Sequence, residues 1–394
     1  MRGSLSKKKH IVNSFFFYLG LIIVFGLFLL LISFVNGYWY AYLVPVLCGG
    51  LLIALRRSVF WQKAWAFLCY ALAIAISFTS LYFFRPVDNV SFGGTITREA
   101  IDFIIDLPIR DSNNNILTRG YTRNNSLWIT PKDYKLTRTK LDGYLPVELL
   151  QRKDKSGDKV ILHLHGGAYV IGYIDAYRQV ALRYSRQSGG ADVLSVDYRT
   201  APEYTFPAAL EDALKAWDWL LQKGYKEENI IIAGDSAGGN LALALTLKLR
   251  DADRPLPKAL VLMSPWADMA NQGPSHTHNQ NKDPIFGNSK GIVNNVDGKS
   301  NPYAADNDVF NPYLSPVYAE YHDFPDMLIQ VGTYEILESD SETIYQKALA
   351  KGVNVTLSKY EGMFHDFQLA GMLLPESRQA WKEVKEFIHS QFYE

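Results

Sequence analysis

The stretch Asn229–Asn240 constrains this chain more than any other. Its β-branched run, Ile230 to Ala233, predicts a short strand, and Gly239 to about Arg250 carries Leu and Ala at helical spacing. Between them the turn Gly234-Asp235-Ser236-Ala237-Gly238 reads as Gly-x-Ser-x-Gly, the pattern of a nucleophile elbow. Small residues on either side of Ser236 permit a tight turn that lifts its hydroxyl above a sheet edge. The helix behind it directs free backbone N–H groups and a positive dipole end at the same place, which suits a site where an oxyanion develops. A plain Gly-rich turn with a small serine has the same local look, so the rest of the chain must decide.

From Asp158 onward, strand and helix patterns alternate, the signature of an α/β fold with a largely parallel sheet covered on both faces. Strands are expected over 159–164, 193–196, 230–233, 259–263, 327–331 and 353–359, and helices over 207–223, 341–351 and 376–392. Ahead of them, alternation over 134–139 and 144–152 about Asp142-Gly143 signals a hairpin.

A serine hydroxyl is a weak nucleophile at neutral pH and needs a base. In chains that carry an elbow the order is serine, acid, histidine. The histidines after Ser236 are His276, His278, His322, His365 and His389. His276 and His278 fall in a Gly/Asn/Ser-rich loop, His322 precedes a strand at the wrong sheet edge, and His389 lies near the end of the last helix. His365 follows a strand, at the C-terminal sheet edge where α/β sheets place their ligands. Glu335 follows the preceding strand, where a carboxylate can hold the imidazole in its working tautomer. Glu338 and Asp340 fall at a helix start, where acids are favoured by the dipole alone.

The strand ending in His163-Leu164-His165 runs into Gly166-Gly167-Ala168. The backbone N–H groups of Gly166 and Gly167, joined by that of Ala237, are placed to form an oxyanion hole. His163 and His165 read as structural rather than as a metal pair. No metal and no cofactor is implied.

His165-Gly-Gly-Ala, Asp197-Tyr-Arg-Thr-Ala-Pro-Glu203, Phe206-Pro-Ala-Ala-Leu-Glu-Asp212, Gly234-Asp-Ser-Ala-Gly-Gly-Asn240, Gly332 with Glu335, and Gly362-Met-Phe-His365 together resemble the hormone-sensitive-lipase-like α/β hydrolases. The resemblance runs from about Lys159 to Phe392. It implies a serine esterase, lipase or deacylase in which Ser236 is the nucleophile, His365 the base and Glu335 the acid. It also implies an oxyanion hole of Gly166, Gly167 and Ala237. Ala168 stands where the family usually has a third glycine, and the region Asn271–Asp308, which shapes the acyl pocket in the family, is long and polar here. Two rivals stay open: an acyltransferase using the same acyl-enzyme, and a non-catalytic receptor using the same pocket.

The N-terminal part has a different character. Three charge-free runs, about 11–35, 38–55 and 64–84, are rich in Phe, Leu and Ile. Roughly 20 apolar residues cross a hydrocarbon core, so residues 1–85 read as a membrane anchor of three transmembrane helices. Lys7, Lys8 and Lys9 lie on the same side as Arg56, Arg57 and Lys63, whereas the Asn36-Gly37 turn has no basic residue. The N-terminus is therefore expected in the cytoplasm and the domain after Arg85 outside it. Residues 86–132 read as a polar linker with a possible lid segment, and 133–394 as the catalytic domain. Expected partners are the bilayer and a small-molecule, lipid or envelope ester. The 40 basic and 40 acidic residues balance, leaving no nucleic-acid footprint. Cys48 and Cys69 are the only cysteines, so the expected catalytic domain is stable without disulfides.

Overall fold

The computed structural model describes residues 128–154, 157–287 and 302–394, and within the first hundred residues 18–20, 22, 26, 43–55, 71–77, 90–91, 93–95 and 97–98. The chain divides into two compact units, Met1–Asp106 and Leu107–Glu394.

In the first unit, α1 (Leu43–Leu55) is a 13-residue apolar helix. Its Val46, Leu47 and Leu51 are exposed. Among the described residues, no helix is long and apolar enough to cross a membrane. Of the expected spans, 38–55 is described from Leu43 on as the 13-residue α1, while 11–35, 64–84 and the linker 86–132 lie mainly outside the described residues.

The second unit is built on an eight-stranded sheet in the order β1-β2-β4-β3-β5-β6-β7-β8. The hairpin β1 (Tyr134–Leu141) and β2 (Leu145–Arg152) is antiparallel, and β2 also pairs antiparallel with β4 (Asp192–Val196). All other neighbours are parallel: β3 (Val160–Leu164), β5 (Ile230–Asp235), β6 (Ala259–Met263), β7 (Asp326–Gly332) and β8 (Val355–Tyr360). The longer helices of this unit are α2 (Asp175–Gln187), α3 (Ala208–Gln222), α4 (Ala237–Arg250), α5 (Glu338–Ala350) and α6 (Pro375–Tyr393).

Side chains alternate across a strand, so each central strand feeds two cores. Ile230 and Ile232 of β5, with Leu260 and Leu262 of β6, meet α3 and α4 through Ala213, Trp217 and Leu241. Ile231, Ala233, Val261 and Met263 face the other way, onto Val180 and Tyr184 of α2 and Trp381, Val384 and Ile388 of α6. Burial on both faces explains why these strands read as continuous apolar runs.

The expected strands and hairpin are present within a few residues of the bounds given above. Helix α2 was not anticipated. Its Asp-Ala-Tyr-Arg-Gln-Val-Ala-Leu-Arg-Tyr-Ser-Arg-Gln sequence has a low apolar content and no side-chain cap, and its buried face mixes Tyr177 and Tyr184 with Val180, Ala181 and Leu182. The parallel register leaves the C-terminal ends of β3, β5, β6, β7 and β8 along one rim, with Leu164 beside Gly234, Asp235 beside Met263 and Gly332 beside Tyr360.

Candidate active site

The β5–α4 junction is a sharp turn. Ser236 sits at φ +52° and ψ −120°, a conformation that L-residues avoid and that tertiary packing must impose. Two of its flanking glycines are there because nothing else fits. A Cβ at Gly234 would lie 2.3 Å from the Gly238 carbonyl oxygen, and one at Gly238 only 2.0 Å from that of Leu164. The turn is tied down by the Ser236 N–H, which donates to Met263 O at 2.9 Å, and by the Trp266 N–H, which donates to Ser236 O at 3.0 Å.

With the backbone held, the hydroxyl meets a buried ring. Ser236 Oγ lies 2.9 Å from His365 Nε2, and His365 Nδ1 lies 3.0 Å from Glu335 Oε2. The three residues come from the rims of β5, β8 and β7. His276, by contrast, bonds to Asp340 Oδ1 at 2.8 Å, far in the network from the serine. His389, on α6, bonds to Gln187 O at the end of α2 at 3.1 Å.

Glu335 is fully buried and held by more than the histidine. Its Oε1 accepts the Ser264 hydroxyl at 2.7 Å and the Gly332 N–H at 2.5 Å. Burial pushes its carboxyl up to about 7, against the lowering pull of His365, Gly332 and Ser264. Burial alone would lower His365, but the neighbouring Asp366 and Glu335 outweigh it and hold the imidazole well above its ordinary 6.5. Ser264, itself at φ +46°, is a member of the site that sequence reasoning missed. Its only sequence signal is its place just after strand β6.

The loop after β3 departs from expectation at one residue. The Gly166 N–H donates to Asp235 Oδ2 at 3.1 Å, and its carbonyl accepts from His165 Nδ1 at 2.7 Å. Gly166 is thus fixed at both ends, and its N–H is not the free donor expected for it. The buried carboxyl of Asp235, just before the serine, accepts its hydrogen bond. The next three residues, Gly167, Ala168 and Tyr169, all have positive φ, at +108°, +54° and +61°. Among the described residues the N–H groups of Gly167 and Ala168 have no acceptor. Ala237, the first residue of α4, has an N–H that the helix ladder cannot use.

His163 and His165 are structural, as expected. Both are fully buried in a cluster of Tyr173, Tyr177, Tyr184 and Tyr198, with the His165 and Tyr198 rings stacked at 4.2 Å. Burial lowers them to about 3 and about 4.

Asp340 is not a simple helix-start acid. It is buried, and its Oδ2 accepts the N–H groups of Ala267 and Asp268 at 2.9 and 2.8 Å. Asp268, His276 and Asp340 place their ligand atoms within 4.8 Å of one another. Their carboxylate oxygens are already occupied: Asp268 accepts from Ala270, Tyr318, Gln272 and Gly273. The cluster shapes the loop between β6 and α5 and offers no open ligand set. That loop brings Phe286 to the site, with its ring 4.7 Å from that of His365.

A family model described as alpha/beta hydrolase fold matches residues 161–369. An acetyl-hydrolase of Streptomyces hygroscopicus is 36% identical over 248 residues, covering 63% of this chain and 81% of that protein. An esterase of Acinetobacter venetianus is 34% identical over 236 residues, 60% of this chain and 76% of that protein. The crystal structure of an esterase from the bacterial hormone-sensitive lipase family superposes with a TM-score of 0.66 at 33% identity, covering 77% of this chain and 99% of that one. The chain belongs to the alpha/beta hydrolase family, among its hormone-sensitive-lipase-like esterases, and is a carboxylic-ester hydrolase.

Proposed function

We propose that the protein is a membrane-anchored serine esterase that works through an acyl-enzyme. The observation that carries this reading is the unbroken hydrogen-bonded chain Ser236–His365–Glu335. Ser236 Oγ attacks the ester carbonyl as its proton passes to His365 Nε2, and the carbonyl electron pair moves onto oxygen. The N–H groups of Gly167, Ala168 and Ala237 receive that oxyanion; each such donor is worth a few kcal/mol, about 3 to 4 at most, in the transition state. On collapse the C–O bond of the ester breaks and the Nε2 proton leaves with the alcohol. Water then repeats the sequence on the acyl-serine. Glu335 keeps Nδ1 protonated throughout and balances the charge of the ring.

Phe286 against His365 favours a short acyl group, in keeping with the acetyl-hydrolase name of a relative. The charge-free N-terminal runs, together with the apolar surface that α1 exposes at Val46, Leu47 and Leu51, support attachment to a bilayer. The basic residues of that region favour a cytoplasmic N-terminus and an extracytoplasmic catalytic domain. An ester of a lipid, an acylated glycan or another envelope component then lies within reach.

A fluorophosphonate probe applied to membranes should label the wild-type chain and not Ser236→Ala. Hydrolysis of p-nitrophenyl acetate should fall at least a thousandfold in that variant while its unfolding midpoint stays put; retained turnover would refute the mechanism. Protease added to intact cells should remove the catalytic domain, and full protection would reverse the topology.

A further inference from the structure

The reacting edge of His365 faces two groups. Besides Ser236 Oγ, Nε2 lies 3.2 Å from Asp366 Oδ2. The neighbouring residue can reach back this way because Asp366 is in the left-handed region, at φ +53° and ψ 32°. Asp tolerates that conformation better than most residues, and a glycine tolerates it best. The turn is pinned by the Asp366 N–H, which donates to Ser264 Oγ at 3.3 Å. Among the described residues, Asp366 Oδ1 is buried without a hydrogen-bond partner. The side chain is therefore held by the ring, not by a cap or an arginine.

We propose that Asp366 is a positioning residue of the esterase, a second carboxylate that holds the proton on His365 Nε2 and confines full activity to alkaline pH. The inference rests on the reading of His365 as the base.

The chemistry follows from where charge sits in each state. When the ring is neutral, with Nδ1–H toward Glu335, the Nε2 lone pair accepts the Ser236 hydroxyl. That lone pair then also lies beside a carboxylate oxygen, which is repulsive. When the ring is protonated, Nε2–H faces Ser236 Oγ and the imidazolium charge lies beside the Asp366 carboxylate, so the contact becomes attractive. Both effects favour the imidazolium. The free enzyme thus keeps its base occupied to higher pH than an ordinary histidine. Once the base is free, the imidazolium formed as Ser236 attacks is stabilised by the same contact.

The other charged and titratable groups around the ring do not supply this effect at Nε2. Glu335 binds the opposite nitrogen. Asp235 and Asp283 interact with the ring electrostatically, but burial raises both their carboxyls toward the neutral form, and Asp366 raises Asp235 further. Phe286 packs on the ring without charge. Asp366 sits at the Nε2 edge of the ring with its side chain 17% exposed.

The test is the pH profile of kcat/KM with p-nitrophenyl acetate for the wild type, Asp366→Asn and Asp366→Gly. The glycine variant suits the positive φ, so it removes the carboxylate without straining the turn. In the wild type the acid limb should lie above the ordinary imidazole value. In both variants it should move at least one pH unit lower, so that activity relative to the plateau rises about tenfold on the acid side. The alkaline plateau itself should fall. Acid limbs in both variants within a few tenths of a unit of the wild type would overturn the proposal. A parallel His365→Ala separates the two levels of inference. If that variant keeps turnover, the base assignment has failed. If it is dead and the Asp366 limbs do not move, only the role of Asp366 has.

Discussion

Tyr169 donates its hydroxyl to Asn240 Oδ1 at 2.7 Å, joining the left-handed loop after β3 to the first turn of α4. The Asn240 amide donates in turn to Trp266 O at 2.8 Å and Leu314 O at 2.9 Å. One buried side chain thereby sets the distance between the loop with the free N–H groups, the serine turn and the segment after β6. A planar amide with one acceptor and two donors in use cannot be replaced by a residue of lower polarity without leaving partners unpaired.

Asn240→Ala should therefore cost about 2–4 kcal/mol of stability, because Trp266 O, Leu314 O and Tyr169 Oη lose their partner inside the protein. It should also lower kcat more than it raises KM, since the N–H groups proposed to hold the oxyanion drift. Urea unfolding and steady-state kinetics on the same preparation check both.

Glu335→Gln keeps the shape of the side chain and an oxygen for Ser264 and Gly332, but removes the charge behind the ring. Loss of about 10²–10⁴-fold in kcat/KM is expected, with little change in fold as judged by circular dichroism. An activity within a factor of three of the wild type would show that the ring needs no carboxylate there.

Gly167 and Ala168 should respond in opposite ways. A Cβ at Gly167 would lie 2.7 Å from Ile171 Cβ, and its φ of +108° is closed to L-side chains. Gly167→Ala should lower kcat about a hundredfold or more, with KM nearly unchanged, by shifting a donor proposed to act in the transition state. Ala168→Gly relaxes a positive φ and keeps the N–H, so its activity should stay within a few-fold of wild type.

Acid stability should report on the tyrosine-lined histidines. His163 and His165 are neutral when folded, with values lowered to about 3 and about 4 by burial. In the unfolded chain they titrate near 6.5, so below that pH the unfolded state binds protons that the folded state refuses. Their contribution is complete above pH 6.5 and is lost as pH falls toward 4. In His163→Leu, unfolding free energies measured between pH 4 and 6.5 should slope less steeply by up to about one proton, roughly 1.4 kcal/mol per pH unit. An unchanged slope would mean that His163 is protonated in the native state.

Sequence alone determined the alternation of strands and helices, the elbow at Ser236, and the selection of His365 and Glu335. Those features are local. Strand and helix periods, turn glycines and strand-end positions are carried by neighbouring residues, and parallel pairing sends every strand end to one rim. Tertiary structure alone decided who bonds to whom. Asp235 lies 69 positions from Gly166 and takes its N–H, so a donor that looks free in the motif is engaged in the fold. Asp340, which reads as a helix-start acid, anchors a loop 73 positions earlier in the chain. Ser264 carries no motif, and reaches Glu335 only because β6 and β7 are adjacent. Hydrogen-bond partners across such separations follow from strand register and from the few ångströms of approach that the small residues around Ser236 allow, and neither is written in any single stretch of sequence.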